Sequence, residues 1–147
     1  MTLEELVRAF AETSPIAVCL TDADLERPGP TVRYVNPAFC AMTAFAADEL
    51  VGRSPRLLQG KGTNALILRK CSRALKAGEG FHGYLTNYRK SGEDYICEID
   101  VRPVAGDDGR PRFFIAFERE VRRRRGRPAA DPGSRYEPVD KRAVMPP

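Results

Sequence analysis

The chain has 147 residues, 42% of them hydrophobic, which is enough for one domain with its own core. Its four cysteines are scattered without a C-x-x-C pair and only one histidine accompanies them, so we expect neither a zinc site nor a disulfide scaffold. No apolar run is long enough to span a bilayer and the first residues show no signal-peptide pattern, so we expect a cytoplasmic protein without a membrane partner.

The net charge of +4 is concentrated at the C-terminal end of the chain. Residues 122–147 contain eight basic and three acidic side chains, whereas residues 1–121 are close to neutral. The C-terminal segment begins with the run Arg122–Arg125 and is otherwise rich in proline and alanine, so we expect a disordered tail beyond about residue 125. An arginine run can bind nucleic acid or an anionic surface, but without aromatic residues among the arginines we favour a solvated tail.

The chain begins with a predicted helix and two predicted strands. Thr2 and Glu5 form a capping box and apolar residues follow at helical spacing, so residues 1–14 are predicted to hold an amphipathic helix. Two β-branched, apolar segments, Ile16–Thr21 and Thr31–Val35, are predicted strands.

Helices are predicted next. Asn36 followed by Pro37 is a typical helix start, with Asn as the cap and Pro at the first helical position. Short helices are expected after it, and Thr63 is predicted to cap a longer helix that ends at Gly78.

The second half of the chain is predicted to be β-structure. The segments Phe81–Lys90, Tyr95–Val104 and Pro111–Val121 are joined by the turn signals Ser91-Gly92 and Asp107-Asp108-Gly109. The order of elements over residues 15–121 therefore predicts an α+β domain with an antiparallel sheet.

Period-two alternation assigns the two faces of the last strand. Phe113, Ile115 and Phe117, called the outer row below, share one face, whereas Ala116 and Glu118 lie on the opposite, inward face. Burial on that inward face should raise the pKa of the Glu118 carboxyl. The alternative is a solvated Glu118 that pairs with Arg119 or Arg102.

The segment Gly52–Gly60 reads G-R-S-P-R-L-L-Q-G and closely resembles the motif G-R-N-C-R-F-L-Q-G of light-oxygen-voltage (LOV) domains, the flavin-binding branch of the PAS family. Leu20–Asp22, Tyr34–Phe39 and Asn87–Gly92 also match this family, in the same order and spacing. The resemblance implies a PAS fold, a five-stranded antiparallel sheet with helices on one face that encloses a ligand-sized cavity.

The resemblance also implies a site for flavin mononucleotide (FMN). The family's reactive cysteine is replaced by Pro55, so we expect no cysteinyl photoadduct. Arg56 matches the phosphate-binding arginine and Arg69 keeps a basic position near the phosphate, but the family's second arginine falls on Ser72. A surface role for Arg56 is the alternative.

Amide positions at the flavin ring are partly kept. Gln59 and Asn87 match family residues that hydrogen-bond the ring, whereas Cys97 replaces an asparagine and Glu118 replaces the glutamine that senses flavin N5. We expect further cofactor contacts at three other positions, which are Thr21, Asn36 and Ala116.

The outer row forms an apolar patch that should be covered. The first helix, through Leu3, Leu6, Val7 and Phe10, is one available cover, and a second copy of the chain is another. PAS proteins commonly dimerise through this face, and the resemblance implies a homodimer here.

We therefore expect a sensory signalling module that binds FMN, or another flavin, non-covalently and acts on a downstream partner protein. The alternative is a ligand-free dimerisation domain. The chain has one histidine, no carboxylate pair on a shared inward face and no nucleophile beside a base, so an enzyme is not expected.

Overall fold

The computed structural model describes residues 1–126 and 135–147. The helices are α1 (Leu3–Ala11), α2 (Pro37–Thr43), α3 (Ala47–Leu50) and α4 (Ala65–Lys76), with a 3-10 helix at Pro55–Leu58. The strands are β1 (Ala17–Asp22), β2 (Val32–Val35), β3 (Phe81–Tyr88), β4 (Asp94–Ala105), β5 (Pro111–Arg123) and β6 (Tyr136–Pro138). Within the described ranges, no helix is both long and apolar enough to cross a membrane.

The strands form one antiparallel sheet in the order β2-β1-β5-β4-β3, and β6 pairs with the end of β5. The predicted five-stranded α+β fold is therefore confirmed, with one short strand added. The central strand is β5, which pairs with β1 and β4 along most of its length. Side chains from β1, β4 and β5 on its inward face pack against the helices in the main core.

Two helix starts show where local prediction works and where it shifts. The helix α1 begins with the predicted capping box of Thr2 and Glu5. The helix α4 begins one residue later than predicted, because Asn64 rather than Thr63 is its cap. The Thr63 hydroxyl donates instead to the carbonyl of Thr86, so it holds the preceding loop against β3.

The outer sheet face is covered by two segments of the same chain. The helix α1 packs Leu3, Val7 and Ala11 against this face, as the amphipathic pattern predicted in general terms. The prediction of the cover is therefore confirmed for Leu3 and Val7, whereas the other two predicted side chains contribute less, since Leu6 is 43% exposed and Phe10 is 79% exposed. The side of α1 that covers the sheet is therefore the one with Leu3, Val7 and Ala11, and most of the Phe10 side chain stays exposed.

The C-terminal segment is the second cover, and it corrects the expectation of a disordered tail. Tyr136–Pro138 pairs with β5, and Ala143 is buried beside Met145 in the outer apolar cluster. The guanidinium of Arg119 donates to the Ala143 carbonyl at 2.8 Å. These contacts hold residues 135–147 against the sheet. They join residues that lie far apart in sequence, so composition alone did not predict them. The predicted disorder of residues 127–134 lies outside the described residues.

Asn36 joins α1, β1 and α2 through its side chain. Its oxygen accepts from the amides of Val18 at 2.8 Å and Phe39 at 3.0 Å. Its nitrogen donates to the carbonyls of Ala11 at 2.9 Å and Ile16 at 2.8 Å. The residue is fully buried and all of these bonds are internal. Asn36 is therefore a structural residue rather than the cofactor contact expected from the sequence.

We expect Asn36→Ala to lower the free energy of unfolding by about 2–4 kcal/mol, because it leaves buried backbone groups without partners. Urea unfolding followed by circular dichroism measures this difference. The matched control is Asn64→Ala, which removes an exposed helix cap and should cost about 1 kcal/mol. Equal losses in the two variants would contradict the structural role given to Asn36.

Candidate functional site

A cavity of about 160 Å³ lies between the inward face of the sheet, α4 and the 3-10 helix. A single water needs only about 10–15 Å³ of such space, so this cavity is ligand-sized rather than a packing defect. Its walls are mainly apolar and include Leu68, Leu75, Leu85, Ile99, Val101 and Phe114. An apolar chamber with a few polar side chains is typical of a small-molecule site.

Six of the ten residues expected at the cofactor line this cavity, and they are Thr21, Pro55, Arg56, Gln59, Ala116 and Glu118. The other four, Asn36, Arg69, Asn87 and Cys97, do not. Arg69 is exposed on α4, whereas Ser72, one turn further on, reaches the cavity wall.

The 3-10 helix places three of the lining residues next to one another. Ser54 caps it by accepting from the amide of Arg56. Pro55 takes the first helical position, where its missing N–H costs nothing. Gln59 follows the last turn, and no hydrogen bond of its side chain occurs within the described part of the chain. The motif thus presents Pro55, Arg56 and Gln59 to one wall of the cavity.

Arg56 is not an ordinary surface arginine. Its Nε donates to the carbonyl of Gly29 at 2.8 Å, and its Nη2 donates to the carbonyl of Leu25 at 3.0 Å. It therefore holds the loop between β1 and β2 over the cavity. Both partners are neutral, and no carboxylate pairs with Arg56 among the described residues, so its positive charge stays available to an anion at the cavity.

Glu118 brings a carboxyl group into the cavity. It is only 4% exposed, and the Cys97 thiol donates to its Oε1 at 3.2 Å. Burial raises the pKa of Glu118 to about 7, against the smaller opposite effect of the Cys97 bond. The predicted rise is confirmed. The alternative is wrong, because Arg119 and Arg102 bind other carboxylates on the outer face.

Two thiols also line the cavity, which sequence reasoning missed. Cys19 alternates with Thr21 along β1, and Cys71 shares a helical face with Leu75 on α4. These spacings of two residues on a strand and four on a helix could have predicted that both thiols face the cavity, as Thr21 and Leu75 do. Burial raises the pKa of Cys19 well above its ordinary value and that of Cys71 to about 11. Both groups are therefore protonated at neutral pH and poorly nucleophilic.

Asn87 lies on the inward face as predicted, but beyond the cavity wall. Its cross-strand partner is Tyr95, and both residues are buried. The Tyr95 hydroxyl has no hydrogen-bond partner within residues 1–126 and 135–147. Burial raises the pKa of this hydroxyl well above its ordinary value, and the Arg89 guanidinium lies 4.4 Å from the centre of the ring. The inward face therefore keeps one unpaired polar group at this end.

No cluster of histidine, cysteine, aspartate or glutamate in the described ranges could hold a metal ion. The four cysteines are free thiols. The chemistry of the cavity thus comes from a protonatable carboxyl, one guanidinium, one amide, two hydroxyls, two protonated thiols and apolar walls.

Comparisons with known proteins agree with this arrangement. A phototropin-2 from Oryza sativa subsp. japonica is 37% identical over 99 residues, which make up 67% of this chain and 11% of the phototropin. The blue-light-activated histidine kinase 1 of Erythrobacter litoralis is 34% identical over 117 residues, covering 78% of this chain and 32% of the kinase. The chain thus spans about a third or less of the length of these curated relatives.

The crystal structure of a LOV protein from Rhodobacter sphaeroides superposes with a TM-score of 0.74 at 30% identity, covering 81% of this chain and 67% of that one. The family profile described as the PAS domain matches residues 15–123. The chain therefore belongs to the PAS domain family, and light-oxygen-voltage proteins are among its relatives.

Proposed function

We propose that the cavity binds a flavin, FMN, without a covalent bond, and that the chain is a sensory module that forms no cysteinyl photoadduct. One observation carries this proposal. The 3-10 helix of the LOV-like motif and the inward face of β5 meet at a single ligand-sized cavity, where Gln59 and Glu118 supply polar groups.

The residues present fit the three demands of a flavin. Apolar side chains such as Leu85, Ile99 and Phe114 form walls for the ring system. Gln59 can both donate and accept at a polar ring edge. Arg56 keeps a positive charge for the phosphate. A bound flavin would supply blue-light absorption and electron uptake.

Glu118 gives this site a property that an amide lacks. With a pKa of about 7, the carboxyl is partly protonated at neutral pH. Its neutral form can donate a hydrogen bond to a ligand atom, whereas its ionised form can only accept. Glu118 therefore holds an exchangeable proton beside the ligand, and its ionisation state would respond to charge changes in the ligand.

The absence of a photoadduct follows from the position of Pro55. It matches the family's reactive cysteine and has no sulfur. The thiols of Cys19 and Cys71 reach the cavity from β1 and α4 rather than from the motif. Because burial keeps them protonated, we propose that neither replaces the missing nucleophile.

A ligand-free interaction domain is the second candidate function. The observation that favours it is the engagement of Arg56, whose guanidinium already donates to two loop carbonyls. In this case the cavity would be a remnant and the outer face would carry the function. Direct measurement of flavin binding separates the two candidates.

Signalling would leave the domain through its outer face. The outer row is half-buried, and a groove between it and α1 is bordered by the exposed side chains of Leu6 and Phe10. We propose that this face forms a homodimer or meets a downstream partner in the cytoplasm. The chain carries no proposed catalytic activity.

We expect Phe10→Asp to shift the protein from dimer toward monomer, because it places a charge at the exposed edge of this groove. Sedimentation over a concentration range measures the shift.

We expect the purified protein to be yellow, or to bind added FMN in one-to-one stoichiometry, as measured by absorption and by mass spectrometry of the released ligand. Ala116→Leu should weaken binding roughly tenfold or more, because the added carbons fill the cavity. Ala105→Leu, at an exposed position on the same sheet, is the matched control. A colourless protein that also rejects FMN would end the flavin proposal.

We expect Pro55→Cys to gain a reversible bleaching of the flavin absorption under blue light, since it places a thiol at the matching position of the motif. The parent protein should not bleach in this way. Cys71→Ser in the Pro55→Cys background is the control, and it should keep the bleaching. Bleaching in the parent protein that Cys19→Ser or Cys71→Ser removes would contradict the proposed absence of an adduct.

Glu118 should make the stability of the protein depend on pH. Between about pH 4.5 and 7 the folded state holds this proton more firmly than the unfolded chain, so the free energy of unfolding falls as pH rises. In the parent protein the free energy of unfolding should decrease by roughly 3 kcal/mol across this window, and Glu118→Gln should abolish this decrease. Urea unfolding at several pH values measures it, and Glu26→Gln, on an exposed loop, should leave the parent's pH dependence unchanged. Identical pH profiles for the parent and Glu118→Gln would disprove the buried titration.

A further inference from the structure

The end of β5 and the short strand β6 form an arm that carries the arginine run. Arg122–Arg125 is exposed, and the strand β6 returns alongside it. Residues 122–126 and 135–138 contain five arginines and one carboxylate, that of Glu137. Glu137 is already paired with Arg122 at 3.0 Å. The arm therefore has an excess of positive charge that the proposed flavin function does not use.

A groove of about 640 Å³ runs from this arm across β3 to the first half of α4. Three of its lining residues are cationic, namely Lys70 from α4, Arg123 from β5 and Arg135 beside β6. None of the residues that line it is an aspartate or a glutamate. The groove is thus lined by positive charge and is separate from the cavity proposed to bind the flavin, with which it shares only the wall residue Leu85.

Aromatic rings lie at the floor of the same groove. Tyr136 stacks on Tyr84 with ring centres 4.3 Å apart and an angle of 20° between the planes. His82 meets the edge of Tyr84 at 5.5 Å. Arg123 is the direct cross-strand partner of Tyr136, so a cation and a stacked ring stand side by side on one face. The folded arm supplies the aromatic residues that the arginine run lacks in the sequence.

The buried carboxylate on the outer face is already engaged by other residues of the domain. Glu98, the nearest buried carboxylate on the outer face, is held by Arg119 at 2.8 Å and lies 2.7 Å from His82. The helix α4 carries four basic and no acidic side chains over its length, and those of Lys70 and Arg73 are exposed one turn apart. The positive surface therefore continues from the arm along the helix.

We infer that this groove binds a single-stranded nucleic acid. Lys70, Arg123 and Arg135 provide the positive charge that a phosphate backbone needs. The Tyr84–Tyr136 stack provides a platform on which an unpaired base can continue the stacking, as in other proteins that bind single strands. An acidic peptide would use the positive charge of the groove but not its stacked rings. A membrane-binding surface typically presents a projecting apolar face, whereas this site is a groove.

Fluorescence anisotropy with labelled single-stranded RNA and DNA homopolymers tests the inference on the full chain. Three phosphate contacts give an expected slope of about −2 for the logarithm of the affinity against the logarithm of the salt concentration. Binding of RNA, of DNA or of both supports the inference, and comparison of the two shows which backbone is preferred. A duplex of the same length should bind more weakly, because its bases are not free to stack.

Two sets of variants separate charge from stacking. Arg123→Ala should reduce the salt slope by about 0.7, since one phosphate contact is lost. Tyr136→Ala should weaken binding about tenfold while it leaves the salt slope unchanged, and Tyr136→Phe should restore binding. Arg33→Ala, an exposed arginine on β2 at the opposite edge of the sheet, is the matched control. Thermal unfolding checks that each variant is folded.

The following results would overturn the inference. One is no binding of any single strand at about 50 mM salt, where phosphate contacts are stronger than at physiological salt. Another is that heparin or an abasic oligomer binds as tightly as the single strands and that Tyr136→Ala does not change the affinity for the single strands. This result would show that the surface recognises charge alone. A third is binding to vesicles that contain phosphatidylserine together with no binding of the oligomers, which would assign the patch to a membrane surface.

Discussion

The strand β5 is the constraint on which the rest of the structure depends. It lies between β1 and β4, and its alternating side chains serve two different environments. Ala116 and Glu118 enter the cavity, whereas Ile115 and Phe117 support the outer cover. A one-residue slip in its register would exchange the two sets and place Phe117 in the cavity. The pairing of β5 therefore fixes both the ligand site and the outer face.

Local patterns in the sequence predict much of this arrangement. The alternation of β5 places Glu118 inward and thus predicts its raised pKa, and the capping box of Thr2 and Glu5 marks the first helix. These features depend on residues a few positions apart. Three of the four hydrogen bonds of Asn36 and the burial of Ala143 depend on partners distant in sequence, so propensity and composition do not reveal them. The same reason explains the missed contact between Tyr136 and Tyr84.

The burial of Glu118 gives the candidate site a carboxyl group that can ionise near neutral pH. Gln59 and Arg56 keep the residue types of the motif, but Glu118 and Cys97 place a carboxyl and a thiol 3.2 Å apart at two positions where the resemblance implies amides. An amide cannot ionise, whereas this buried carboxyl can do so near neutral pH. This inward edge of the sheet can therefore store a proton.

Glu118 and Arg119 are consecutive residues that point to opposite sides of the sheet. One bonds Cys97 inside the domain, and the other bonds both Glu98 and the Ala143 carbonyl outside it. A single peptide unit thus links the interior chamber to the terminal segment on the far side. Any rotation of that unit must disturb both sets of bonds at once, so the distance over which a structural change has to travel is the thickness of one strand.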